Sequence, residues 1–147
     1  MRIWRISNYA DLSGRGGLIA DGRWNRIGTP VVYCSDHPAT ALLEMLARID
    51  RFDIPGGFRL HAIEVPDDAS ELPLGTASLP ANWQTDIEAT QALGTSILQR
   101  AEHLSIRVPC ILVPHAWNVL LNPGHPDIAR CSIVETIESP FDPRLVR

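Results

Sequence analysis

Three side chains between positions 23 and 44 have the types that nucleotide chemistry uses: the guanidinium of Arg23, the phenol of Tyr33 and the carboxylate of Glu44. A planar guanidinium pairs with phosphate or ribose oxygens through two hydrogen bonds. A fixed carboxylate stabilises the positive charge that develops on a sugar when its glycosidic bond breaks. The phenol ring can stack on a flat heterocycle and donate its hydroxyl. We therefore take these three residues as the candidate catalytic centre.

Each of the three residues also has a purely structural interpretation. Glu44 can pair with Arg48 one helical turn later, which is worth only about 0.3–0.5 kcal/mol on a solvated face. Arg23 can be a surface arginine, and an isolated strand tyrosine such as Tyr33 is commonly half-buried packing. On the residues alone, an enzyme and a non-catalytic nucleotide- or protein-binding module both remain open.

A glycine-rich loop at 13–17 precedes this group and carries Arg15, a second candidate for holding an anionic ligand. Such a loop can turn sharply and let the backbone approach a ligand closely, although many glycine-rich loops are only turns. Asn25 is expected to cap or orient the loop that follows Arg23. Trp24 is expected to pack in the core.

The elements that must position these side chains follow from apolar periodicity and turn residues. Asp36 is a candidate N-cap and Pro38 suits the first turn of the helix that carries Glu44. Gly94 is an unfavourable residue within the second predicted helix. The predicted strands cover 2–7, 31–35, 58–65, 106–113 with a bend at Pro109, and 131–138, and the predicted helices cover 40–50 and 86–103. The segment 55–57 ends the first helical unit, and 66–84 is expected to be loop-rich.

Length and composition limit what this site can belong to. A chain of 147 residues with 45% hydrophobic content predicts one domain, 1–147, and strands mixed with fewer helices predict an α+β fold with a twisted, partly antiparallel sheet. A net charge of −4 without basic clusters argues against nucleic acid as a direct partner. No apolar run approaches the roughly 20 residues of a membrane span. Three scattered cysteines argue against a disulfide framework, so we expect a soluble protein of the reducing cytoplasm.

Two further features of the side-chain inventory bear on chemistry. All 13 basic residues are arginine, which excludes a Schiff-base lysine and a Walker-type lysine in this chain. The cysteines and histidines lack the paired short spacings of a zinc site, so no metal is expected. Asn122-Pro-Gly-His125-Pro-Asp127 is interpreted as a rigid turn and not as the site of a catalytic histidine.

Six short strings, taken in order along nearly the whole chain, resemble the RES domain family. They are Gly22-Arg23-Trp24-Asn25, the run from Gly28 to Tyr33, Ala41-Leu42-Leu43-Glu44, Val108-Pro109-Cys110, the run from Leu121 to Asp127, and Phe141-Asp142-Pro143-Arg144-Leu145. Each string alone is weak evidence, but their order makes the resemblance specific.

The resemblance implies an ADP-ribosyltransferase-like fold and the toxin of a bacterial toxin–antitoxin pair that consumes NAD as its substrate. Arg23 and Glu44 match the Arg and Glu of the family's name. Cys110 stands where the family serine is expected, with Ser132 as the alternative. The NAD-binding residues are then Arg15, Arg23, Tyr33, Asn25 and Cys110.

The same resemblance implies partners. The first is an Xre-type helix-turn-helix antitoxin, and the second is an acceptor of ADP-ribose, which in the family is water, phosphate or the protein phosphoribosyl pyrophosphate synthetase. The sequence leaves the acceptor undecided, and it leaves a homodimer open.

Overall fold

The computed structural model describes residues 1–49, 58–138 and 140–146. The predicted end of the first helix at Asp50 and the turn at 55–57 lie outside these residues. The strands are β1 (Arg2–Ser7), β2 (Val32–Ser35), β3 (Arg59–Glu64), β4 (Glu71–Pro73), β5 (Ser105–Pro109), β6 (Trp117–Leu121) and β7 (Ser132–Glu138). The α-helices are α1 (Gly16–Ile19), α2 (Pro38–Arg48) and α3 (Ile87–Arg100), and short 3-10 turns lie at Thr76–Ser78, Pro126–Arg130 and Pro143–Val146.

The seven strands form one mixed sheet in the order β4-β5-β6-β2-β1-β3-β7. The β4–β5 pair is parallel, and the other neighbouring strands are antiparallel. This arrangement confirms the predicted α+β class with a mixed, largely antiparallel sheet.

The hydrophobic core is divided between the two faces of the sheet. Successive side chains of a strand point to opposite faces, and in β6 the buried Leu120 packs in one cluster whereas Val119 and Leu121 pack in the other. The first cluster includes Trp24, which is buried as expected and stacks on Trp83 with ring centroids 6.2 Å apart.

Helix α2 carries Glu44 and begins earlier than predicted. Its N-cap is His37, whose Nδ1 accepts a 3.1 Å hydrogen bond from the N–H of Ala39, and Pro38 occupies the first turn. The prediction of Asp36 as the cap is therefore wrong, because Asp36 instead accepts a hydrogen bond from the N–H of Trp117 in β6. Thr40, Ala41 and Met45 bury one face of the helix against the sheet.

Helix α3 confirms the second predicted helix, with Asp86 as its N-cap and an end at Arg100. Gly94 is buried at the point where the helix meets the main-chain carbonyl of Trp24, and a β-carbon there would overlap that oxygen. The glycine is thus a close-packing residue that lets α3 lie against the Trp24 loop.

Three local predictions differ from the structure. The predicted strand 106–113 ends at Pro109, since proline has no N–H to continue a ladder. Strand β6 was not predicted, and the loop-rich segment 66–84 contains β4 and a 3-10 turn. None of the described helices has the length and apolar character that crossing a lipid bilayer requires.

Candidate active site

A cavity of about 490 Å³ lies where β1, β2 and β6 meet helix α2 and the loop before β2. Arg23, Tyr33 and Glu44, which are predicted from the sequence to work together, all line it. Its walls also include Trp4, Arg5, Ile6, Asp21, Gly22, Ser35, Arg48, Ile87, Gln91, Ile111, Leu112 and Asn118.

The carboxylate of Glu44 is held by two donors from the sheet side. Oε1 accepts a 2.7 Å hydrogen bond from Nδ2 of Asn118 and a 3.2 Å hydrogen bond from the thiol of Cys110. The structural interpretation predicted that the side chain of Arg48 pairs with the carboxylate of Glu44. Instead, Nε of Arg48 donates a 3.3 Å hydrogen bond to the main-chain carbonyl of Glu44. Glu44 is thus oriented by residues far away in the sequence.

Asn118 is in turn held by Ser35 across the β2–β6 ladder. These two residues are register partners, and the hydroxyl of Ser35 donates a 2.8 Å hydrogen bond to Oδ1 of Asn118. Neither residue was predicted from the sequence to be part of the site. Their signal, a polar pair on two otherwise apolar strands, emerges only once the register is known.

Cys110 follows β5 and is buried. Burial raises the pKa of its thiol, and the hydrogen bond to Glu44 raises it further. The thiol therefore stays protonated and donates to the carboxylate, and Cys110 itself, like Asn25, is not among the residues that line the cavity. The alternative candidate, Ser132, lies exposed on β7, where it pairs with Glu64 of β3.

The ring of Tyr33 lines the cavity, and its hydroxyl forms hydrogen bonds within the protein. The hydroxyl donates to Oδ1 of Asn25 at 2.6 Å and accepts from the N–H of Trp24 at 3.1 Å. Burial raises the pKa of Tyr33 to about 12, so the phenol stays protonated. Asn25 is buried, and the two protons of its amide nitrogen are shared among three main-chain carbonyls, those of Gly17 in α1, Ala20 and Arg26.

Among the described residues, three guanidinium groups face the same cavity. Arg23 donates from Nη1 to the main-chain carbonyls of Trp83 and Gln84, at 3.5 and 3.3 Å. Arg5, on β1, donates to the carbonyl of Asp11 at 2.8 Å. Arg48 is the third, and it was not predicted from the sequence. The three positive charges exceed the negative charges of Asp21 and Glu44, which also line the cavity, and they suit an anionic ligand.

Arg15 is not brought to this cavity. Its guanidinium forms a 3.1 Å ion pair with Asp11 and lies over the ring of Tyr9, 5.8 Å from the centroid. A second cavity, of about 440 Å³, shares Arg5, Tyr33 and Arg48 with the first. Arg15 does not line this cavity either. The glycine loop itself does line this second cavity, through Gly16 and Gly17.

The histidines and cysteines considered for zinc do not form a metal-binding group, although Cys34 and Cys131 pack in the same core cluster of the described residues. Within the described ranges no three His, Cys, Asp or Glu side chains lie close enough to hold a metal ion. His37 and His125 each accept a main-chain N–H at the start of a helical turn, and His125 does so in the rigid turn predicted for residues 122–127.

The fold is that of a solved toxin–antitoxin structure. A chain of the crystal structure of the M. tuberculosis MbcT–MbcA toxin–antitoxin complex matches with a TM-score of 0.70 over 99% of this chain and 86% of that one, at 20% sequence identity. This likeness assigns the α+β fold.

Sequence comparison gives the family. The sequence model of the RES domain family matches residues 2–142 of this chain. Toxin Res of Pseudomonas putida KT2440 is 42% identical over 135 residues, covering 90% of this chain and 92% of that protein. The Prs ADP-ribosylating toxin of Sphingobium sp. YBL2 is 32% identical over 155 residues, covering 99% and 96%. The chain belongs to the RES domain family, among the toxins that these relatives represent.

Proposed function

We propose that this protein is the toxin of a toxin–antitoxin pair, that it cleaves the nicotinamide–ribose bond of NAD, and that it transfers ADP-ribose to an acceptor. The observation that carries the proposal is the Glu44 carboxylate, which is oriented by Asn118 and Cys110 in a cavity that three arginines line. The name of the Sphingobium relative, an ADP-ribosylating toxin, supports the reaction class.

The reaction requires little covalent chemistry from the protein. The bond between C1′ of the ribose and the pyridinium nitrogen breaks, and its electron pair leaves with nicotinamide, which departs neutral. Positive charge develops on the ribose, and the negative charge of Glu44 stabilises it. A nucleophile of the acceptor then bonds to C1′ and gives up its proton.

The other residues of the cavity bind and orient NAD in this proposal. Arg23, with Arg5 and Arg48, binds the pyrophosphate or ribose oxygens through charge-assisted hydrogen bonds. The ring of Tyr33 stacks on the nicotinamide. Asn25 acts through Tyr33, because its amide oxygen already accepts the phenol hydroxyl.

The relatives also suggest the partners. The Sphingobium toxin is named for acting on Prs, and we propose a protein acceptor of that kind, with water or phosphate as the simpler alternatives. The M. tuberculosis structure contains an antitoxin, and we propose that an antitoxin of the Xre type controls this chain. We place the activity in the reducing cytoplasm, where free thiols such as Cys34, Cys110 and Cys131 persist.

The direct test is nicotinamide release from NAD by the purified protein, with and without cell extract. Wild type is compared with Glu44→Gln, which keeps the shape but removes the charge. Glu102→Gln, at an exposed position after α3, is the matched control. Release that only Glu44→Gln abolishes supports the enzyme, and dependence on extract indicates a macromolecular acceptor.

The competing function is a binding module in which Glu44 has only a structural role. That function predicts no release from wild type under any condition, together with unchanged ligand binding in folded Glu44→Gln protein. Loss of growth inhibition on expression of Glu44→Gln, at equal protein level, distinguishes the two in cells.

A further inference from the structure

We propose that Asn118 is a positioning residue for the Glu44 carboxylate, and that Ser35 holds the Asn118 amide in place by a hydrogen bond. The inference rests on the proposed function, because it assigns how the carboxylate of that reaction is held. It adds two residues whose hydrogen bonds determine which oxygen of Glu44 faces the sugar.

The hydrogen bonds of the network run in one direction. A carboxylate only accepts hydrogen bonds, so the Asn118 group facing Oε1 at 2.7 Å must be its NH₂. The amide oxygen then points to the hydroxyl of Ser35, 2.8 Å away, which donates. The flipped amide would place oxygen against oxygen at Glu44, so the carboxylate itself selects this orientation, and the hydrogen bond from Ser35 holds the amide in place.

The three groups lie on elements that are rigidly connected. Ser35 is 3% exposed and ends β2, which leads through a short turn into α2 and Glu44. Asn118 lies on the neighbouring strand β6, directly opposite Ser35 in the ladder. Sites built on strands and helices hold their geometry better than sites on loops.

The network uses one carboxylate oxygen and leaves the other available. Oε1 accepts from both Asn118 and Cys110, whereas Oε2 has no hydrogen-bond partner among the described residues. We therefore assign Oε2 as the oxygen that faces the ribose. Loss of Asn118 would free the carboxylate to rotate, and a misplacement of about 1 Å can cost roughly 100-fold in rate.

Kinetics of nicotinamide release test the assignment. Asn118→Ala should lower kcat by about 10- to 100-fold and change KM less than about 3-fold. The reason is that the positioned charge of Glu44 stabilises the transition state and contributes little to the binding of NAD. Gln99→Ala, which removes an exposed amide on α3, should match wild type. Equal kcat in Asn118→Ala and wild type would overturn the assignment.

The pH profile separates positioning from general loss of packing. Asn118→Asp keeps the acceptor for Ser35 but places a second carboxyl group against Oε1, and two carboxyls so close share one proton. The acidic limb of the kcat profile should move to higher pH by about one unit or more. A reduced rate with an unmoved limb would mean that Asn118 is only a packing residue.

Ser35 is tested by loss and rescue. Ser35→Ala should lower kcat in the same direction as Asn118→Ala but by less, and Ser35→Thr, which restores a hydroxyl, should recover part of the rate. The Ser35→Ala change should add little to Asn118→Ala, since both act through one contact. Independent, additive losses would contradict the chain from Ser35 through Asn118 to Glu44.

A crystallographic readout distinguishes failure of this inference from failure of the proposed function. If wild-type protein releases no nicotinamide, the proposed function fails, and the positioning is then judged from structures of wild type and Asn118→Ala. A Glu44 carboxylate that leaves its wild-type position only in the variant supports the positioning role. An unmoved carboxylate overturns it, whatever the activity.

Discussion

The hydroxyl of Tyr33 donates a 2.6 Å hydrogen bond to the amide oxygen of Asn25, and this bond joins the end of one strand of the sheet to the loop that carries Arg23. The amide nitrogen of Asn25 donates to the carbonyls of Gly17, Ala20 and Arg26. The phenol therefore anchors a loop on one wall of the cavity, in addition to presenting its ring.

Tyr33→Phe should destabilise the protein although it removes a single oxygen. The buried oxygen of Asn25 and the N–H of Trp24 both lose their partner, and an unsatisfied buried polar group costs about 1–3 kcal/mol. The free energy of unfolding from urea titration measures the loss. Tyr9→Phe, at an exposed tyrosine, should stay within about 0.5 kcal/mol of wild type. Equal stability of Tyr33→Phe and wild type would show that the bond anchors nothing.

Gly94→Ala should destabilise the protein, against the usual effect of alanine within a helix. Helix propensity alone predicts a gain of about 1 kcal/mol. The added methyl group would overlap the main-chain carbonyl of Trp24, and the backbone of this buried residue cannot yield as the end of a flexible side chain can. We expect a net loss of about 1–3 kcal/mol, as for other overpacked sites.

Thermal unfolding of Gly94→Ala and of Gly75→Ala gives the comparison. A β-carbon at Gly75 has nothing within 4 Å, so the control should equal or slightly exceed wild type. A raised melting temperature in Gly94→Ala would contradict the close approach of helix and loop.

Much of the fold could be predicted from local patterns. β1, β3, β7 and both long helices follow from apolar periodicity and turn residues, and the structure contains each of them. β6 could not be predicted in the same way, because its five residues include the polar Asn118 that faces the site, and asparagine is unfavourable in strands. The residue that we propose to position Glu44 is thus the one that hid the strand from sequence-based prediction.

The candidate site was predictable only in part, for a related reason. Arg23, Tyr33 and Glu44 are close in the sequence, and their side chains are of types that take part in catalysis. They could therefore be predicted together from the local sequence. The contacts of Glu44 with Cys110 and Asn118 depend on the pairing of β5, β6 and β2. A register between strands more than 80 positions apart, as for Ser35 and Asn118, leaves no local pattern. The same limit explains why Arg15, selected for its glycine loop, lies elsewhere.

Arg23→Ala and Arg15→Ala should affect nicotinamide release differently. Arg23 lines the cavity, and loss of a charge-assisted hydrogen bond to NAD should lower kcat/KM by about 10- to 100-fold. Arg15 is paired with Asp11 outside it, so we expect less than about a 3-fold change. A large loss in Arg15→Ala would instead support the sequence-based prediction that Arg15 binds the ligand.

His61 predicts how stability depends on pH. The side chain is completely buried, with Nε2 3.3 Å from the carbonyl of Ser7 and Nδ1 3.0 Å from the hydroxyl of Thr136. Nε2 therefore carries the proton and donates to Ser7, and Nδ1 accepts from Thr136. Burial lowers the pKa of His61 below its usual value near 6.5. The charges of Arg59 and Arg5 lower this pKa slightly further, and the hydrogen bond to Ser7 opposes the shift.

Acidification from pH 7.5 to 5.5 should therefore destabilise wild type through His61. Below about pH 6.5 the histidine binds a proton in the unfolded state but not in the folded state. Proton binding stabilises the unfolded state, so the free energy of unfolding falls progressively until the pH reaches the lower pKa of the folded state. Urea unfolding at both pH values should show a smaller loss on acidification in His61→Gln than in wild type, although the variant starts less stable. His103→Gln should keep the wild-type difference. An equal loss in His61→Gln and wild type would mean that His61 takes up its proton without unfolding, and that the neutral pairing with Ser7 and Thr136 does not hold the ring against acid.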